Sequence, residues 1–180
     1  SRKEIFVTSK VWNSQQGYDN TLRAFDQTLS ALKFDYLDLY LIHWPKSQNQ
    51  ETWKALERLY REGRVRAIGV SNFLQHHLDD LMKRSEVTPM VNQIEFHPYL
   101  QQPQLQDYCR QLNIRMTAWA PIMRGRVLDL PLLRLLAHRY GKNPVQIALR
   151  WALQKGIVVI PKSSQPSRIR SNARIFDFAL

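Results

Sequence analysis

The chain has 180 residues, with 26 Lys+Arg against 15 Asp+Glu and a formal net charge of +11. That length allows one medium domain with a real core, and six glycines and nine prolines exclude collagen-like or low-complexity chains. A single cysteine, Cys109, excludes an internal disulfide framework and points to a reducing, cytoplasmic compartment. No apolar run reaches membrane-spanning length, the N-terminal SRKEIF has no secretory pattern, and the positive charge raises an anionic ligand as a partner.

β-rich runs are expected at Ile5–Val7, Tyr36–Ile42, Val65–Val70, Met90–Ile94, Ile114–Trp119 and Ile157–Ile160. Helical patterns lie between them. Leu22, Phe25, Leu29 and Leu32 share one face of the first. Trp53, Leu56, Leu59 and Tyr60 share one face of the second, which Gly63 closes. Leu105, Tyr108, Cys109 and Leu112 repeat the pattern, so Cys109 reads as a core residue. Leu132 to Arg139 form a further helix before Gly141, and Asn143-Pro144 caps the next. His76, His77 and His138 fall on solvated helices, and Glu95 with His97 reads as structural, with no metal site expected.

Alternation of this kind means α/β architecture with a parallel sheet, in one domain over residues 1–180. No G-x-G-x-x-G follows the first strand and no phosphate loop is present, which disfavours an open dinucleotide-binding sheet. A (β/α)8 TIM barrel is favoured, but a complete one takes about 250 residues and eight strands. The 180 residues are expected to represent six of its strand–helix units, roughly strands three to eight.

Function in such barrels sits at the C-terminal strand ends. There the sequence places Lys10 with Trp12, then His43-Trp44, Ser71-Asn72-Phe73, Asn92 and Gln93, Trp119 before Pro121, and Lys162-Ser163. Lys162 and Ser163 precede Pro166-Ser167-Arg168, a helix start whose N–H groups and dipole favour an anion. Lys162 and Arg168 would add contacts to a phosphate. The plainer reading is a solvated, capped basic helix. The basic residues recur along the chain without zinc spacing, recognition-motif aromatics or a basic zipper, so nucleic acid is not the expected partner.

Taken together, VTSKVW, LIHWP, IGVSNF, MVNQIEFHP, AWAPI and IPKSSQPSRIRSN resemble the aldo-keto reductase family in order and spacing, across essentially the whole chain. The likeness is greatest to the bacterial 2,5-diketo-D-gluconate and glyoxal reductase branch. The resemblance implies NADPH-dependent reduction of small carbonyl substrates by hydride transfer. It assigns Lys10 and His43 to the catalytic set, and Ser71, Asn72 and Gln93 to the nicotinamide carboxamide. It assigns Trp119 to stacking on the nicotinamide, and Ala120, Pro121, Ile122 and Gly125 to the pyrophosphate loop. Lys162, Ser163, Arg168 and Asn172 match the surroundings of the 2′-phosphate and adenine, while Trp12, Trp44 and Phe73 suggest an aromatic-walled substrate pocket.

An ammonium such as Lys10 lowers the pKa of a neighbouring tyrosine acid, and an imidazole such as His43 orients and stabilises a carbonyl oxygen gaining charge. The family's Asp and Tyr lie on a D-x-A-x-x-Y segment that the 180 residues do not contain. Ala120 stands where serine is common, Ser171 where an acidic residue is common, and Arg124 adds charge beside the pyrophosphate loop. The 180 residues alone are therefore expected to be inactive, and a complete chain to be monomeric. The alternative is a non-catalytic barrel fragment that retains a nucleotide-phosphate site.

Overall fold

A computed structural model describes residues 1–180. Six strands form one sheet in chain order: β1 (Thr8–Val11), β2 (Leu37–Ile42), β3 (Val65–Ser71), β4 (Val91–Glu95), β5 (Arg115–Trp119) and β6 (Val158–Val159). The β1/β2, β2/β3 and β5/β6 pairs are parallel. Helices α1 (Tyr18–Leu32), α2 (Asn49–Arg61), α3 (Gln75–Met82) and α4 (Pro103–Gln111) follow the first four strands in turn. Helices α5 (Pro131–Tyr140) and α6 (Pro144–Gln154) follow β5, and α7 (Pro166–Ala173) follows β6. Parallel neighbours need such crossovers, and their strict chain order is that of a (β/α) barrel wall.

The chain divides into two compact units, one of Ser1–Asn92 with Asp107–Ile114 and one of Gln93–Gln106 with Arg115–Leu180. In the first unit every residue of β2 is buried, as a strand covered on both faces requires. Phe25 of α1 meets Tyr40 edge-on at 5.1 Å, and Trp53 of α2 is fully buried with its indole N–H donating to the Val87 carbonyl at 3.1 Å. Burial raises the Tyr40 hydroxyl pKa, so this tyrosine stays neutral and serves packing. Cys109 is buried and its thiol is likewise pushed up by burial, as a core residue should be.

The second unit is built on Met123, Val127, Leu133, Ala137, Ile147 and Ala148, with Phe96 stacked on Trp151 at 5.1 Å. Asn143 begins α6 as its sequence implies. Its Oδ1 accepts the Gln146 N–H at 2.9 Å, and Gln146 Oε1 accepts the Asn143 N–H at 3.0 Å.

Three sequence expectations are corrected. The first strand lies at Thr8–Val11, three residues beyond Ile5–Val7. Ile5 and Phe6 are exposed, and pairing starts only at Thr8 with Leu39, so polar residues make the strand. Leu32 leaves the buried face of α1 because the chain turns left-handed at Lys33 (φ 54°). β6 keeps only Val158 and Val159 of the expected Ile157–Ile160.

Candidate active site and anion cleft

In the first unit the register sets Lys10 of β1 beside Leu41, and Val11 beside Ile42, just before His43 leaves β2. The His43 N–H donates to the Val11 carbonyl at 3.3 Å, one step beyond the ladder. The imidazole meets Trp12 at a ring separation of 4.7 Å and Trp44 at 6.4 Å. Burial lowers the Lys10 pKa. Burial and then the Lys10 charge lower that of His43. The two strand ends therefore hold a half-buried ammonium within the electrostatic reach of an imidazole that is neutral near neutral pH. A neutral imidazole keeps one N–H donor, which suits it to bind an oxygen that is gaining negative charge.

Trp12 and Trp44 are 54% and 42% exposed, so both leave ring surface open. Phe73 does not: it has no exposed surface, and its ring packs edge-on against His77 at 5.7 Å. The expectation that Phe73 walls a pocket is corrected by this burial; it braces the loop after β3 from within. Ser71 closes β3 and is buried. Asn72 follows in a left-handed conformation (φ 64°), which asparagine tolerates better than most residues. Its Nδ2 donates to the His43 carbonyl at 3.0 Å and to Ser71 Oγ at 3.1 Å. Asn92 is buried, its Nδ2 donating to the Phe73 carbonyl in the loop after β3 at 2.8 Å.

In the second unit Gln93 is buried on β4, and Trp119 ends β5 half-buried. His97 Nε2 lies 3.6 Å from Glu95 Oε1, and no group of three metal-ligating side chains forms. Beyond Trp119 the backbone passes through positive φ at Ala120, Met123, Arg124 and Gly125, bending the loop around a cleft of about 530 Å³. Ala120, Pro121, Ile122 and Gly125 line it from this loop. Lys162, Ser163, Arg168 and Asn172 line it from the segment that enters α7. All eight residues expected to surround pyrophosphate, 2′-phosphate and adenine thus share one cleft.

Pro166 opens α7, and Ser163 Oγ accepts the Gln165 N–H at 3.1 Å, shaping the turn before it. Arg168, in the first turn of α7, lines the cleft together with Lys162 and Ser163, a donor set suited to a doubly charged oxyanion. The cleft also takes Leu128, Asn143, Val145, Ile160 and Ser171, which the sequence reading did not place there. Asn143 was legible as a helix cap but not as a wall; its Nδ2 donates to Ser171 Oγ at 3.0 Å, tying α6 to α7 at the rim. No helix is long and apolar enough to cross a membrane.

The profile described as "Aldo/keto reductase family" matches residues 1–180. The chain is 55% identical over 181 aligned positions to a glyoxal reductase of Bacillus subtilis (strain 168), covering 100% of this chain and 66% of that protein. It thus spans just under two thirds of that relative. The crystal structure of MGS-M4, an aldo-keto reductase enzyme from a Medee basin deep-sea metagenome library, superposes with a TM-score of 0.98 at 49% identity, over 100% of this chain and 68% of the other. A mutant of Gox0644 in complex with NADPH superposes with a TM-score of 0.96 at 47% identity, over 99% of this chain and 67% of the other.

Proposed function

Because the chain belongs to the aldo/keto reductase family, we propose that it is the larger part of an NADPH-dependent reductase of small aldehydes and ketones. The observation that carries this reading is the cationic cleft between the loop after β5 and the start of α7. Its residues suit the cofactor: Lys162, Ser163, Arg168 and the first N–H groups of α7 would hold the 2′-phosphate, and the Ala120–Gly125 backbone the pyrophosphate. The structurally similar Gox0644 mutant binds NADPH, and the glyoxal reductase likeness points to small reactive carbonyls as substrates. When bound, the nicotinamide supplies the hydride.

The protein's own contribution is electrostatic. In this reading His43 donates a hydrogen bond to the carbonyl oxygen, holding it in place and stabilising the charge that develops there. Lys10 keeps positive charge beside the proton donor, and Trp12 and Trp44 exclude water from one side. The family likeness assigns Ser71, Asn72 and Gln93 to the carboxamide and Trp119 to the ring. The 180 residues carry no D-x-A-x-x-Y segment, so we infer that alone they bind the cofactor without turnover. Residues 1–180 are in this reading part of a single barrel domain, monomeric and cytoplasmic, as the buried free Cys109 suits.

Arg168→Ala tests the cleft. A charge-assisted hydrogen bond is worth about 1.5–3 kcal/mol, so NADPH binding should weaken roughly 10- to 100-fold, with NADH binding little changed. Equal losses for both cofactors would contradict a 2′-phosphate contact.

A further inference from the structure

His43 lies just beyond the end of β2, where the ladder no longer satisfies its backbone. Three bonds replace the ladder. The His43 N–H donates to the Val11 carbonyl at 3.3 Å. The His43 carbonyl accepts from Asn72 Nδ2 at 3.0 Å, from the end of β3. The Trp44 carbonyl accepts from Gln16 Nε2 at 2.8 Å, from the segment after β1. Two successive carbonyls are thus held by two side-chain amides, one from each flank of the strand. Acceptor carbonyls require the N–H end of each amide, so chemistry fixes how both amides are turned.

Gln16 is only 4% exposed, and its Oε1 is buried with no hydrogen-bond partner. A buried amide that leaves its oxygen unsatisfied is costly, and its retained contact is the bond to Trp44. Asn72 accepts a left-handed backbone to make its own bond.

We infer that Gln16 and Asn72 are positioning residues for His43, clamping the His43-Trp44 backbone from both sides so that the imidazole stays between Lys10 and the two tryptophans. The inference rests on the proposed role of His43 for its functional meaning, but its test reads His43 directly. Gln16 belongs to none of the motifs that carry the family likeness, and no ligand contact is assigned to it.

The test uses the chain with ¹⁵N-labelled histidine, its NMR titration followed for all five histidines, in Gln16→Met and Asn72→Gly. The methionine matches glutamine in length, carries no charge and cannot donate. The glycine removes the amide while suiting the positive φ. Lys10 is the charged group that faces His43 from β1, and Trp12 and Trp44 are its ring neighbours. Released from the clamp, the imidazole moves away from burial and from Lys10. Its titration midpoint should rise towards the ordinary histidine value in both variants. An unmoved His43 would overturn the clamp. A common shift of every histidine would overturn it too, since that marks a loosened fold. NADPH titration of the unaltered chain runs alongside: failure to bind would remove the proposed function while leaving the His43 result readable.

Discussion

Asp38 is a buried carboxylate inside a strand that is otherwise wholly hydrophobic. Its Oδ2 lies 2.8 Å from Arg2 and accepts the Val7 N–H at 2.9 Å, and its Oδ1 lies 3.2 Å from Arg66. Burial pushes its pKa up, but the Val7 N–H and the two guanidinium groups outweigh that and hold it below the usual value. A depressed folded pKa gives stability that is present above the unfolded carboxylate value of about 3.9 and is lost as pH falls through the folded one. Asp38→Asn is therefore expected to cost about 1–3 kcal/mol at pH 7, with the gap closing in strong acid. Urea unfolding of both proteins across that range checks it; a gap independent of pH would contradict the ion-pair account. For turnover, in the enzyme bearing the whole family domain, Lys10→Met and His43→Ala are each expected to lower carbonyl reduction on the order of 100-fold or more. Near-normal rates in both would contradict their roles.

At the scale of elements, β3 approaches β4 too closely for a side chain at Gly69. A Cβ there would collide with the Val91 carbonyl and stand 2.9 Å from Leu41 Cδ2. Gly69→Ala must push backbone aside, and is expected to cost about 1–3 kcal/mol by thermal or urea unfolding; an unchanged midpoint would contradict this packing. Helices with strong apolar stripes were legible in the sequence. Trp53, Leu56 and Leu59 gave α2, and Asn143-Pro144 gave the start of α6. β1 was misplaced because its residues, Thr8, Ser9 and Lys10, are polar, and only register with Leu39 to Leu41 makes them a strand. The end of α1 was hidden because Lys33, not glycine, takes the left-handed position. The short motifs AWAPI and IPKSSQPSRIRSN marked residues that the structure brings into one cleft. Gln16 was not readable, because its meaning lies in a bond to Trp44, 28 residues away. Phe73 misled because an aromatic at a strand end looks the same in sequence whether it faces a ligand or the core.

For the whole molecule, the sheet in chain order and the match of residues 1–180 to one family agree with the strand-end motifs. Of the 26 basic residues, Lys162, Arg168 and Arg124 line one cleft. In the proposed function this cleft takes a 2′-phosphorylated dinucleotide. Calorimetric titration of the 180-residue chain with NADPH, and separately with NADH, tests it most directly. NADPH should bind at least roughly tenfold more tightly than NADH, and added salt should erode the difference. Equal affinity for the two, or no binding of either, would contradict it.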